Sequence, residues 1–207
     1  MSSSTAQTPV KLEVFIDFIC PWCYLAHGVV EKLQQKHSLD ITWSPFPLHP
    51  DTPQEGMLLS DLFRGANIAA MHQRLYALMD ELGLEHKERE RLFNTRKAQE
   101  LALWAATQPD GDKLIGLLFR AYFVDNRNLA DAAVLLDIVT QAGLDQDEAR
   151  RVLDDKVLAA EVDAAWQRAR SFQINGVPAF IGGGYQVSGF QPLAEMERFL
   201  DFIKTKV

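Results

Sequence analysis

Apolar side chains occupy both registers of the stretch from Val10 to Phe18. Leu12, Val14, Ile16 and Phe18 share one face, and Phe15 makes the other face apolar as well. Alternation of period two predicts a strand, and apolar residues on both faces predict that it lies in the middle of a covered sheet. The period then becomes helical. From about Pro21 to His37, Leu25, Val29 and Leu33 fall on one side, flanked by Ala26 and Val30. Pro21 suits a first turn, where a missing N–H costs little. Leu39 to Trp43 reads as a second strand. Pro45, Pro47, Pro50 and Pro53 then mark an extended connection.

From about Leu59 to Phe172 the spacing is helical almost throughout. Its stripes are Ile68, Met71, Leu75, Leu78 and Leu82, then Leu114, Leu118, Ala121 and Tyr122, then Leu158, Val162, Ala165, Trp166 and Ala169. These read as bundle core. Gly143 is a helix stop, and Asp145 with Glu148 resembles a capping box. Sheet returns near the C-terminus, with Ala179 to Ile181 and Tyr185 to Val187 around a Gly182-Gly183-Gly184 turn. A phosphate-cradling loop is a poor fit to those glycines, because no helix follows them at once and no Lys-Ser/Thr pair follows them. Leu193, Met196, Phe199, Leu200 and Ile203 form a closing helix behind Pro192. The predicted order is β-α-β, a helical block, then β-β-α. That order is an α/β thioredoxin-like core interrupted by a large all-helical insertion, with boundaries at residues 9–56, 57–172 and 173–207.

Composition bounds the function. The chain has 207 residues, 47% hydrophobic and 24% charged, enough for a substantial core. Its net charge of -7 argues against a nucleic-acid partner. Met1 to Thr8 is Ser/Thr-rich without a basic start or an apolar run, and reads as a short disordered leader rather than a signal peptide. No segment approaches the roughly 18 apolar residues of a membrane span. A cytoplasmic protein is expected, and there a cysteine pair is more often catalytic than structural. Oligomeric state stays open.

The two cysteines, Cys20 and Cys23, are the only ones in the chain, and they stand where strand turns into helix, as Cys20-Pro21-Trp22-Cys23. The free N–H groups and positive dipole end of a helix favour a thiolate at its cap. Cys20 is expected to be the exposed nucleophile, and Cys23, one turn in, the buried resolving thiol. A zinc site needs two further ligands, and His27 alone does not complete one, so no metal is assigned. A structural disulfide across so short a loop constrains the unfolded chain little. A redox-active dithiol is the reading that remains. Asp17 lies three residues before Cys20, and it reads either as a proton relay to Cys23 or as a hydrogen-bonded strand-end carboxylate. His27 is expected on the helix surface and His49 in a loop. His37, His72 and His86 fall in polar surroundings and suggest no chemistry. From the residues alone, Pro178 reads as a trans proline opening the strand at Ala179.

The motifs and their order resemble DsbA-like proteins of the thioredoxin superfamily, and within them the cytoplasmic FrnE-like branch. The resemblance rests on Asp17-Phe18-Ile19-Cys20-Pro21-Trp22-Cys23-Tyr24, Asn94-Thr95 ahead of a helix, Ala121-Tyr122-Phe123, Gly176-Val177-Pro178, and Val187-Ser188-Gly189-Phe190-Gln191-Pro192. It spans nearly the whole chain from Val10. One departure is plain: where the family follows Asn-Thr with Ala-His-Arg, this chain has Arg96-Lys97-Ala98-Gln99-Glu100. The resemblance implies a cis Val177-Pro178 bond packed beside the dithiol, with the Val177 backbone free to pair with a substrate strand, and Pro21, Trp22, Val177 and Pro178 supporting the site.

The expected activity is that of a thiol–disulfide oxidoreductase or disulfide isomerase acting on disulfide- or dithiol-bearing proteins or small molecules. Neither metal nor nucleotide is required, and glutathione is a candidate co-substrate. A kappa-class-like glutathione transferase or chromene-carboxylate isomerase is the alternative within the same fold. Those relatives often carry Ser where this chain has Cys20, and they lack the second Cys. An alternative of another class is a redox-sensing chaperone or binding protein.

Overall fold

Strand β1 (Val10–Ile16) is the buried centre of a four-stranded sheet, because its side chains are apolar in both directions: Leu12, Val14, Phe15 and Ile16 are all buried. The computed structural model describes residues 8–206. The expected leader lies outside the described residues except for Thr8, which is exposed. Along the chain follow α1 (Pro21–Gln34), β2 (Leu39–Pro45), β3 (Met57–Leu58), α2 (Leu59–Leu62) and α3 (Ile68–Leu82). Next come β4 (Arg91–Leu92), α4 (Arg96–Ala105), α5 (Lys113–Phe123), α6 (Ala132–Gln141), α7 (Gln146–Asp154) and α8 (Ala159–Ser171). The chain closes with β5 (Ala179–Gly182), β6 (Tyr185–Ser188) and α9 (Leu193–Lys204).

The main sheet has the order β2-β1-β5-β6. β1 and β2 are parallel, with Val14 opposite Trp43, and the crossover between them is α1. β5 runs antiparallel to β1, with Val14 opposite Phe180, and β6 is its hairpin partner. Gly183 and Gly184 make that hairpin turn at φ 56° and 82°, a region glycine enters without steric cost. The thioredoxin-like α/β reading therefore holds, with the long helical block entering between β2 and β5.

Several boundaries move for physical reasons. β1 stops at Ile16 rather than Phe18, because the chain turns at Asp17 to enter α1; α1 ends at Gln34 rather than His37. The expected all-helical insertion carries one ladder, β3 against β4, with Met57 opposite Leu92 and Leu58 opposite Arg91. Two residues per strand are too few for any period to register. Caps behave as their residue types dictate: Asp145 accepts the Glu148 N–H at 2.8 Å, and Gly143, at φ 77°, follows the last turn of α6. α1 packs against α3, α5 and α9, while α4 and α8 run along β2. One continuous apolar core thus joins the sheet to the inserted helices.

Candidate active site

Cys20 is the N-cap residue of α1, in extended geometry at φ -82° and ψ 116°, with Pro21 at the first helical position. Its amide donates to the Asp17 carbonyl at 3.1 Å, closing the turn out of β1. Its carbonyl accepts the amides of Cys23 (3.0 Å) and Tyr24 (3.1 Å), starting the helix. No side chain caps this helix end. The local fold thus points the dipole and the free amides of α1 towards the first thiol.

The expected exposure of Cys20 is corrected by the structure. Cys20 is 3% exposed, roofed by residues brought from far along the chain, and its Sγ lies 3.5 Å from the Val177 carbonyl oxygen. It opens onto a cavity of about 330 Å³ whose walls include Trp22, Leu48, Leu59, Phe63 and Leu75. The Val177-Pro178 bond is cis, so the trans reading from the residues alone gives way to the one implied by resemblance. Pro178 is buried, and its carbonyl accepts the Gly189 amide at 2.8 Å. Trp22, partly buried, packs against Phe190 with ring centres 6.0 Å apart.

Cys23 is fully buried, one turn into α1. Burial is the main cause that pushes its thiol well above the usual range, and the neighbouring Cys20 and the Asp17 charge add to it. Both thiols are free. The two sulfurs therefore sit in unlike settings, one at a helix cap beside a cavity and one enclosed.

Asp17 is 1% exposed and fully engaged. Its Oδ1 accepts the Thr95 hydroxyl at 2.8 Å, and its Oδ2 accepts the Leu48 amide at 3.0 Å. Burial lifts its pKa to about 6, against the opposing pull of those hydrogen bonds. The hydrogen-bonded reading is thus what the geometry shows, and the raised value keeps a relay role chemically available. The chain of contacts continues outward. Thr95 accepts from Gln99 Nε2 at 3.1 Å, the same nitrogen donates to the Phe46 carbonyl at 3.1 Å, and Gln99 Oε1 accepts the Trp166 indole N–H at 2.8 Å.

Two histidines depart from expectation. His27 is buried, with ring centres 5.5 Å from Trp43 and 5.4 Å from Phe119, and burial lowers its pKa to about 4. Its contact with Glu31 at 3.6 Å is consequently not an ion pair at neutral pH. His72, expected in polar surroundings, is 5% exposed and lines the cavity beside Cys20, as does His49 in its loop. Sequence reasoning missed Gln99, Leu48, His72 and Arg89 as site residues, and it saw Thr95 only as part of a motif. Their one advance signal was Asn94-Thr95; the rest converge only through packing. Among the described residues, no three His, Cys, Asp or Glu side chains gather as a metal ion would require.

The chain has recognisable relatives among known proteins. The chain resembles a probable DsbA oxidoreductase from Streptomyces coelicolor, at 25% identity and TM-score 0.88, over 96% of this chain and 91% of that one. In fold it is similar to the cytosolic disulfide reductase DsbM of Pseudomonas aeruginosa, solved with GSH, at 17% identity and TM-score 0.67, over 95% and 98%. A curated relative, the uncharacterized protein YwbO of Bacillus subtilis (strain 168), is 22% identical over 186 residues, 87% of this chain and 90% of that protein. Residues 11–201 match the DSBA-like thioredoxin domain, and the chain belongs to that family.

Proposed function

We propose that the chain is a dithiol–disulfide oxidoreductase of the FrnE-like kind, with Cys20 as nucleophile and Cys23 as resolving thiol. The observation that carries this is the asymmetry of the pair: Cys20 caps α1 at the edge of a cavity, and Cys23 is enclosed behind it. In the reducing direction the Cys20 thiolate attacks one sulfur of a substrate disulfide. The substrate S–S bond breaks, one thiolate leaves, and a mixed disulfide forms. Cys23 gives up its proton, attacks the Cys20 sulfur and expels the second substrate thiol. Two electrons pass from protein to substrate, and the reverse sequence delivers a disulfide to a dithiol. Asp17, with a pKa near 6, is ionised at neutral pH and suited to receive the Cys23 proton.

Glutathione as co-substrate and a cytoplasmic setting fit this reading. The DsbM structure that the chain resembles in fold is of a cytosolic disulfide reductase and was solved with GSH. No helix among the described residues is long and apolar enough to cross a membrane. The transferase and isomerase alternatives would leave Cys23 without a task.

The test is a stoichiometric reaction of reduced protein with oxidised glutathione, followed by intact mass. Loss of two hydrogens from the protein, with release of two glutathione thiols, is the expected result. Binding of unfolded clients that survives in the Cys20→Ser/Cys23→Ser double variant, with no such oxidation in the parent, would replace the enzyme with a redox-sensing binding protein.

A further inference from the structure

Two buried polar side chains line the cavity that holds Cys20, and the thiol chemistry above uses neither. Arg89 and His72 are each 5% exposed, and the Nε of Arg89 and the Nε2 of His72 have no hydrogen-bond partner. Among the described residues Arg89 forms no ion pair, not even with the adjacent Glu88. Its guanidinium carbon stands 4.3 Å from the Phe123 ring centre and 5.1 Å from that of Tyr122. Those faces attract the cation, and the Tyr76 and Tyr122 hydroxyls lie within its hydrogen-bonding reach, but none of these groups carries a charge to balance it. A buried cation without a counter-charge is costly, and it persists most readily where a partner completes it.

Apart from His49, the rest of the cavity is largely apolar, with Trp22, Leu48, Leu59, Phe63, Leu75 and Leu92 on its walls. Its volume of about 330 Å³ lies at the small end of ligand sites, and apolar walls with a few convergent polar groups are the usual form of a small-molecule pocket. A guanidinium matches a carboxylate in plane and charge. The net charge of -7 repels anions from the molecule as a whole, so any preference for them at this site has to come from a local cation.

We propose that this cavity binds a compact apolar disulfide bearing a carboxylate, with the carboxylate on Arg89 and His72 and the sulfur presented to Cys20. The proposal rests on the oxidoreductase reading and narrows its substrate class. With an aryl disulfide of this type, the Cys20 thiolate attacks one sulfur, the ligand S–S bond breaks and one aryl thiolate leaves. Cys23 then closes the protein disulfide, its proton passing to Asp17, and the second aryl thiolate is expelled.

Two probes separate the charge from the redox step: dithiobis(nitrobenzoate), aromatic and anionic, and dithiodipyridine, aromatic and neutral. Stopped-flow rates with reduced protein are divided by the rates of mercaptoethanol with each probe. The expected result is a normalised preference of about tenfold or more for the anionic probe, the scale of one charge-assisted hydrogen bond. Arg89→Gln removes that preference, and Arg89→Lys restores part of it. Should Arg89→Gln fail to fold, His72→Phe has to lower the same ratio. Equal normalised rates in the parent, or a ratio untouched by both variants, overturns the carboxylate site while leaving the oxidoreductase in place. Release of thiol from neither probe overturns the redox reading, and with it the disulfide part of this one. Calorimetry with nitrobenzoate on the Cys20→Ser chain reads the carboxylate site without redox chemistry. Saturable heat that Arg89→Gln abolishes supports the site, and its absence in the Cys20→Ser chain counts against it.

Discussion

The Thr95 hydroxyl donates a 2.8 Å hydrogen bond to Asp17, joining the cap of α4 to the turn that leads into the dithiol. Gln99, in the next turn of α4, holds that hydroxyl in turn and is itself tied to Trp166 on α8. The inserted helices therefore orient the carboxylate nearest the thiols, and the insertion is part of the site as well as a cover for it.

Reduced protein treated briefly with iodoacetamide near neutral pH should be labelled at Cys20 ahead of Cys23. Cys23 has no exposure, and burial holds its thiol protonated, whereas Cys20 lines the cavity. Peptide mass mapping of partly labelled protein reads the order. Labelling of Cys23 first would reverse the assigned roles.

Cys23→Ser should accumulate mixed disulfides with glutathione or client proteins, because the attacking thiol remains and nothing releases the adduct. Cys20→Ser should accumulate few. Non-reducing electrophoresis and mass spectrometry of the trapped species check this, and the adducts also identify substrates. Equal trapping by the two variants is incompatible with attack by Cys20.

Asp17 is buried with its pKa raised from 3.8 to about 6, so its ionisation opposes folding. Its contribution is most favourable below pH 4 and is lost as pH rises towards and past 6. Between pH 4 and 8 the parent should lose roughly 2 kcal/mol of stability relative to Asp17→Asn, which does not titrate. The Asn variant leaves the Leu48 amide facing an NH2 group, or else breaks the Thr95 bond, so the absolute offset between the chains is less informative than its slope. Urea unfolding of both reduced chains at several pH values measures the slope, and parallel curves would contradict the buried-carboxylate account.

His27 gives the opposite sign. Burial depresses its pKa from 6.5 to about 4, so the neutral ring is favoured in the folded state, and stability falls as pH drops from 7 towards 5. The loss should be about 2 kcal/mol, and His27→Phe, which keeps an aromatic ring against Trp43 and Phe119, should remove it. Thermal or urea unfolding at pH 7 and pH 5 compares the two chains. Equal acid sensitivity in both would mean that His27 charges without penalty.

Much of this protein was legible in the sequence because local periodicity and turn chemistry act over a few residues. The two-faced apolar run of β1, the switch to helical spacing at Pro21, the glycine turn at Gly183-Gly184 and the Cys20-Cys23 spacing each follow from covalent geometry and the hydrophobic pattern. The β3–β4 ladder escaped, since two residues carry no period, and so did the burial of His27, whose neighbours on α1 give no hint of Trp43 and Phe119 closing over it. Only the tertiary structure placed Val177 against the Cys20 thiol and Thr95 on Asp17, pairs separated by 157 and 78 positions. The same is true of Arg89 and His72 at the cavity. Contacts of that range depend on how the helical insertion folds back over the sheet. Packing of the shared core sets that fold-back, and no local pattern encodes it.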